Sequence, residues 1–133
     1  MEAEKKNILF INEVQDAGIR VLLDETEMKR VFQNFFENSV KYRNSDRSVI
    51  RLWSRRQGNL VEIGVSDDGP GVPEDELSHI FESFYRGDRS RTEPGNGSGL
   101  GLAVAKRIVE SHGGSIRAEN RDGLTIIISL SVL

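Results

Sequence analysis

Two pairs of strand-like segments, the first of which begins with alternating apolar and polar residues, restrict the fold of this chain more than any other feature; a short turn joins the segments of each pair. Alternation of this kind is typical of strands with one buried face, and a short polar turn between two such strands predicts an antiparallel hairpin. The sequence therefore predicts two hairpins. Their strands are residues 49–55 and 60–66 in the first, joined through Gly58, and residues 115–119 and 124–131 in the second, joined through Gly123.

Apolar residues at helical spacing predict three helices beside these strands. The helices are expected at residues 25–42, 73–82 and 99–112. Asp24 precedes the first of them and is suited to an N-cap, with Glu27 three residues further on. Two further short strands are predicted at residues 8–14 and 19–23.

This mixture of helices and hairpins predicts an α/β (α+β) two-layer sandwich. The sheet is expected to be mixed and largely antiparallel, and to be covered on one face by about three helices. We interpret residues 1–133 as one domain, because 133 residues are the length of an ordinary single domain. Residues 87–98 are rich in Gly, Asp, Arg, Ser and Asn, and this composition predicts a mobile surface loop.

The composition excludes several classes of site and partner. The chain has no cysteine, so it forms no disulfide, zinc-thiolate site or cysteine nucleophile. Its net charge of -3 gives no general attraction to nucleic acid, and no apolar run approaches the roughly 20 residues that span a bilayer. We therefore expect a cytoplasmic domain that binds no nucleic acid and does not itself cross a membrane. A parent protein anchored in the inner membrane is compatible with this expectation.

The first group of polar residues lies on the longest predicted helix. Asn34, Asn38 and Lys41 are spaced by four and three residues, which places them on one face. An amide oxygen suits Mg²⁺ as a ligand, and a lysine suits phosphate. Taken alone, three polar residues that face solvent explain the same pattern.

The second and third groups are rich in glycine. Asp67 opens the segment Asp67-Asp68-Gly69-Pro70-Gly71 at a strand end, where a carboxylate can accept a hydrogen bond from an exocyclic amine such as that of adenine. An ordinary turn is the alternative. Residues 97–102 open a helix, where free backbone N–H groups suit phosphate. They are not a P-loop, because no Gly-Lys-Ser/Thr follows.

The order of these groups along the chain resembles that of histidine kinases. Residues 34–42 are similar to the asparagine box of that family, residues 67–71 to its first glycine box, residues 80–86 to its phenylalanine box and residues 97–102 to its second glycine box. The resemblance covers nearly the whole domain. It implies the ATP-binding sandwich fold that histidine kinases share with gyrase and heat-shock chaperone ATPases, with residues 87–98 as the ATP lid.

The resemblance also implies roles for individual residues. Asn38 binds Mg²⁺ through its amide oxygen, Asn34 supports the metal and the phosphates, and Lys41 reaches the phosphates. Asp67 holds the adenine amine, and Arg86 approaches the phosphates from the edge of the lid. The implied catalytic residues are Asn34, Lys41 and Arg86. The further implied ATP-binding positions are Tyr42, Gly69, Gly71, Tyr85, Gly97, Gly99, Leu100, Gly101 and Leu102.

The implied reaction is phosphoryl transfer and not hydrolysis. Related hydrolases carry a glutamate as general base four residues before the metal-binding asparagine. This chain has Asn34 at that position, and an amide cannot take the proton. A nucleotide-dependent binding module and a serine-directed protein kinase of the same superfamily are the alternatives.

The phosphoacceptor is expected on the protein's own dimerisation domain, with a response regulator as the downstream partner. Neither His79 nor His112 lies in the family's phosphoacceptor motif, so this chain alone is expected to show little autophosphorylation. A structural role is expected for His112, because a positive histidine is favourable at the C-terminal end of a helix.

Overall fold

A five-stranded sheet forms one layer of the protein. The computed structural model describes residues 8–14, 18–41, 48–82, 101–121 and 123–133. The strands are β1 (Ile8–Glu13), β2 (Ser48–Gln57), β3 (Leu60–Asp67), β4 (Ser115–Asn120) and β5 (Leu124–Ser131), in the order β1-β2-β3-β5-β4. β1 pairs with β2 in parallel, and the other three pairings are antiparallel. The sheet is therefore mixed and largely antiparallel, and both predicted hairpins are confirmed.

Three helices lie among the described residues. They are α1 (Glu25–Lys41), a 3-10 helix (Glu74–His79) and α2 (Gly101–Ser111). The predicted short helix is thus a 3-10 helix. The predicted start of the last helix, residues 99 and 100, and the predicted lid, residues 87–98, lie outside the described residues. None of the helices in the described ranges is long and apolar enough to cross a membrane.

His112, the residue that follows α2, forms a hydrogen bond at the N-terminus of α1. Asp24 is the N-cap of α1, as predicted, because its Oδ1 accepts a hydrogen bond from the N–H of Glu27 at 3.0 Å. The N–H of Asp24 itself donates to Nε2 of His112 at 2.9 Å. Nδ1 of His112 lies 2.8 Å from the carbonyl oxygen of Ile108 and donates to it. These contacts give His112 a structural role between the end of α2 and the start of α1.

The hydrophobic core lies between the helices and one face of the sheet. α1 contributes Val31 and Phe35, and α2 contributes Ala105 and Val109, all of them fully buried. They pack against apolar side chains that alternate along the two central strands, which are Val61, Val65, Ile126, Ile128 and Leu130. Burial of this apolar surface is the main force that holds both helices on the sheet.

The other face of the sheet is covered by its own side chains. Trp53 on β2 lies over Gly64 on β3, where an added Cβ would be 2.1 Å from the indole ring. The indole N–H donates to Ser66 Oγ at 3.0 Å. Ile127, paired with Gly64 on β5, is fully buried. The indole ring therefore supplies apolar cover on the side of the sheet opposite the helices.

A buried carboxylate joins three strands on this second face. Glu62 on β3 accepts hydrogen bonds from Arg55 on β2 at 2.6 Å and from Arg117 at 2.9 Å. Arg117 belongs to β4 and reaches Glu62 across β5. The bond from Arg55 is the largest cause that holds the pKa of Glu62 below its usual value, and Arg117 acts in the same direction. β2, β3 and β4 are thereby linked through one side chain.

Residues 19–23 do not form the predicted strand, so that prediction is wrong. Ile19 and Val21 are half-buried and pack against the core, whereas Leu22 is exposed. The carbonyl oxygen of Arg20 accepts a hydrogen bond from the N–H of Leu133 at 2.7 Å, but the segment joins no ladder of the sheet. The apolar residues that favoured a strand here therefore belong to an irregular segment, which packs Ile19 and Val21 on the core.

Candidate functional site

A contact between two distant motifs marks the candidate site. Asn34 is half-buried on α1, and its Nδ2 donates to the carbonyl oxygen of Gly101 at 2.9 Å. Gly101 is the first residue of α2, and a Cβ added there would lie 3.7 Å from Asn34 Cγ, in ordinary van der Waals contact. The structure therefore brings together two residues that are 67 positions apart and that were both predicted as site residues.

Asn38 lies one turn further along the same face of α1. Four residues advance a helix by about 6 Å and turn it by about 40° beyond a full revolution, so neighbouring side chains at this spacing lie side by side. Asn34 and Asn38 are both half-buried. Lys41 is the last residue of α1, and its side chain lies outside the described residues. The structure therefore places Asn34 and Asn38 together on the face predicted to meet metal and phosphate.

Two backbone donors hold the carboxylate of Asp67 at the end of β3. Its Oδ1 accepts the N–H of Gly69 at 2.9 Å and the N–H of Leu124 at 3.1 Å. Leu124 is the first residue of β5, the neighbouring strand. The carboxylate is thus oriented by its own loop and by the strand beside it. A side chain held in this way is preorganised for recognition of a ligand.

Asp68, the next residue, has a different function. It is exposed, and its Oδ1 accepts the N–H of Val49 in β2 at 2.9 Å. Asp68 therefore closes the end of the β2–β3 hairpin, whereas Asp67 bonds toward β5. The two neighbouring aspartates thus contact strands on opposite sides of β3.

The turn between β4 and β5 supports the loop that begins at Asp67. Gly123, at the end of this turn, is buried and has φ of 146°. A Cβ added at Gly123 would lie 2.0 Å from the carbonyl oxygen of Asp67, so the close approach of the two backbones requires glycine. The sequence shows only a turn signal at this position. Its contact with Asp67 could not be read from local pattern, because it joins two different hairpins.

The predicted site residues fall into two groups. Asn34, Asn38, Asp67, Gly69, Gly71 and Gly101 can be described, and so can Leu102, which is half-buried and packs at the margin of the core. The side chain of Lys41 and the following residues lie outside the described part of the chain: Tyr42, Tyr85, Arg86, Gly97, Gly99 and Leu100. The roles of the residues in both groups stay predictions.

A family model and a curated relative each match most of this chain. Residues 23–133 match the family described as histidine kinase-, DNA gyrase B-, and HSP90-like ATPase. The sensor protein kinase WalK of Staphylococcus saprophyticus is 37% identical over 123 residues, which are 92% of this chain and 20% of WalK. The similarity to WalK therefore concerns one part of a much longer protein.

Two solved structures share the fold. ShkA, solved at full length in complex with AMPPNP, has a TM-score of 0.82 at 27% sequence identity, over 98% of this chain and 27% of ShkA. The histidine kinase ThkA in complex with the response regulator protein TrrA has a TM-score of 0.80 at 28% identity, over 99% of this chain and 36% of ThkA. Both similarities extend over the sheet and the helices described above.

Proposed function

Because this chain belongs to the family of histidine kinase-, DNA gyrase B- and HSP90-like ATPases, we propose that it binds Mg-ATP and donates the γ-phosphate to a histidine on a separate dimerisation domain. The observation that carries this proposal is the hydrogen bond of 2.9 Å from Asn34 Nδ2 to the carbonyl oxygen of Gly101. It joins the helix of the asparagine motif to Gly101, which belongs to the second glycine motif and begins α2. The two motifs are therefore close enough to contact one ligand.

Asp67 is the proposed recognition residue for the base. A carboxylate accepts a hydrogen bond from the exocyclic amine of adenine, whereas guanine presents a carbonyl oxygen at the corresponding position. The N–H groups of Gly69 and Leu124 orient this carboxylate through Oδ1. ShkA, which shares the fold, was solved with AMPPNP, an adenine nucleotide. These observations favour adenine over guanine as the base.

The residues on α1 suit a magnesium ion that is held jointly with the nucleotide. Mg²⁺ prefers oxygen ligands and keeps waters and substrate phosphates in its shell, so one amide oxygen from Asn38 is a sufficient contribution from the protein. Within the described ranges, no group of three or more His, Cys, Asp or Glu side chains could hold a metal ion alone. When bound, Mg²⁺ neutralises charge on the phosphates. We assign Lys41 to the same phosphates.

Asn34 positions backbone groups and takes no proton. Its amide cannot act as a general base, and its Nδ2 donates to the first carbonyl of α2. This bond steadies the start of α2, where backbone N–H groups suit phosphate. Phosphoryl transfer depends mainly on positioning and on charge stabilisation, so these contacts favour transfer to a positioned acceptor over activation of water.

Neither described histidine is suited to receive the phosphoryl group. His112 uses both ring nitrogens in contacts with Asp24 and Ile108. His79 lies on the 3-10 helix and pairs with Glu82 at 2.7 Å, and this hydrogen bond raises the pKa of His79. Neither histidine lies in the phosphoacceptor motif of the family. We therefore propose that the acceptor belongs to a dimerisation domain of the parent protein.

The proposed downstream partner is a response regulator, and the proposed location is the cytoplasm. ThkA, which shares the fold, was solved with the response regulator TrrA, and WalK is a sensor protein kinase. These relatives support a role in two-component signalling.

Calorimetric titration with AMPPNP and Mg²⁺ tests the proposal, with Asp67→Asn as the variant and Asp68→Asn as its matched control. Loss of a charge-assisted hydrogen bond to the base is expected to weaken AMPPNP binding by roughly 5- to 150-fold in Asp67→Asn. Asp68→Asn alters the adjacent carboxylate and is expected to bind like the wild type. A wild type that binds no AMPPNP refutes the proposed function, and equal affinities of the two variants refute the assignment of Asp67.

A further inference from the structure

The turn between β4 and β5 holds both ends of the loop that follows β3. At the first end, Gly123 packs against the backbone of Asp67, and the N–H of Leu124 donates to Asp67 Oδ1 at 3.1 Å. At the second end, Asn120 bonds Val72. The loop between Asp67 and Val72 is thus fixed at two points by a hairpin that is distant in sequence.

The side chain of Asn120 forms two hydrogen bonds with one residue of this loop. Its Oδ1 accepts the N–H of Val72 at 3.0 Å, and its Nδ2 donates to the carbonyl oxygen of Val72 at 2.6 Å. Nδ2 also lies 3.2 Å from Oε1 of Glu74, at the start of the 3-10 helix. Only an amide offers a donor and an acceptor side by side, so neither a carboxylate nor a methyl group can replace these contacts.

The absence of a side chain at Gly71 leaves room for the amide of Asn120. Its φ of 74° lies in the left-handed region, which favours glycine. A Cβ added at Gly71 would lie 2.6 Å from Oδ1 of Asn120, closer than real Cβ atoms approach an oxygen. The amide of Asn120 therefore occupies the space that a side chain at position 71 would need. The conformation of the loop and the position of Asn120 depend on each other.

We propose that Asn120 is a positioning residue for base recognition. It holds Gly71 and Val72 in place, and it thereby keeps the loop in the conformation in which Asp67 and the glycines meet a purine base. This inference rests on the proposed function and deepens it, because it adds a residue from the last hairpin to the site that the four motifs define. Asn120 acts through the loop and does not itself contact the ligand.

The test compares the affinities of Asn120→Ala for AMPPNP and for GMPPNP, which keeps the phosphates and changes the base. Loss of the bonds to Val72 is expected to weaken AMPPNP binding by roughly 5- to 30-fold, while GMPPNP binding changes by less than about twofold. The ratio of AMPPNP affinity to GMPPNP affinity is therefore expected to fall in Asn120→Ala. Asn120→Asp keeps the acceptor for the N–H of Val72 but loses the donor to its carbonyl and places a charge beside Glu74, so weaker AMPPNP binding than in the wild type is expected.

Asn59→Ala is the matched control, because Asn59 is also an exposed asparagine beside a hairpin strand and lies at the opposite end of the sheet. It is expected to leave both affinities unchanged. AMPPNP affinity of Asn120→Ala within about twofold of the wild type overturns the inference. An equal loss of affinity for AMPPNP and GMPPNP also overturns the inference. Such a result indicates general destabilisation of the domain and not a role of Asn120 in positioning the loop that follows β3. A wild type that binds no AMPPNP overturns the proposed function itself, which is a different result.

Discussion

Replacement of Glu62 by glutamine is expected to destabilise the domain without touching the candidate site. The side chain of Glu62 is 8% exposed, and it accepts hydrogen bonds from two arginines whose side chains are 52% and 42% exposed. Removal of one partner from a fully buried ion pair costs about 3–5 kcal/mol, whereas a surface pair contributes about 0–1 kcal/mol. Because both arginines retain contact with water, we expect a loss of about 1–3 kcal/mol in the free energy of unfolding for Glu62→Gln.

The effect should depend on pH in a defined direction. The pKa of Glu62 is lower in the folded state than its usual value of 4.5. Its contribution to stability is therefore fully present above the pKa of the unfolded chain and is lost as the pH falls through the lower pKa of the folded state. The difference in stability between the wild type and Glu62→Gln is expected to be constant near neutral pH and to narrow below pH 4.5.

Urea denaturation followed at several pH values measures this difference. Glu13→Gln is the matched control, because Glu13 also pairs with an arginine of β2, at 2.7 Å from Arg51, but its side chain is 48% exposed. We expect the control to lose less than about 1 kcal/mol. Equal stability losses in the two variants, or a Glu62→Gln difference that does not change on acidification, would refute the reasoning from burial.

Two further predictions concern single positions. Asn38→Ala is expected to remove most of the gain in AMPPNP affinity that Mg²⁺ produces, and titrations with Mg²⁺ and with EDTA measure that gain; a wild-type response to Mg²⁺ contradicts the metal role. Gly64→Ala places a Cβ against the indole of Trp53, and the overpacking is expected to cost about 1–3 kcal/mol in the free energy of unfolding. Trp53 is the single tryptophan of the chain, so a change in its fluorescence emission reports movement of the indole ring. Unchanged emission together with unchanged stability of Gly64→Ala would contradict the predicted overpacking.

Features that depend on neighbours in sequence were predictable. The two hairpins follow from local alternation and short turns, and the N-cap at Asp24 follows from its place before an apolar helix. The resemblance to histidine kinases, which rests on four short motifs in order, is confirmed by the match of residues 23–133 to that family of ATPases. In each case the residues that carry the signal lie close together in the chain.

Features that depend on distant contacts were not predictable. His112 meets Asp24 across 88 positions, and Asn120 meets Val72 across 48 positions. Nothing in the residues around Asn120 distinguishes a turn asparagine from one that holds another loop. The error at residues 19–23 has the same origin, because packing against a distant core buries apolar residues without strand pairing. The roles assigned to the site residues, inside and outside the lid, stay predictions.

The pairing of β3 with β5 has a consequence for the order in which the protein assembles. Each hairpin closes a short loop and can form early, whereas β3 and β5 meet across a long segment, as the bond between Ser66 and Thr125 over 59 positions shows. Asp67 obtains its second backbone donor, Leu124, only in that late step. A nucleotide that binds at Asp67 is therefore expected to stabilise the pairing of β3 with β5, because the complete set of contacts to this carboxylate exists only when the two strands are joined.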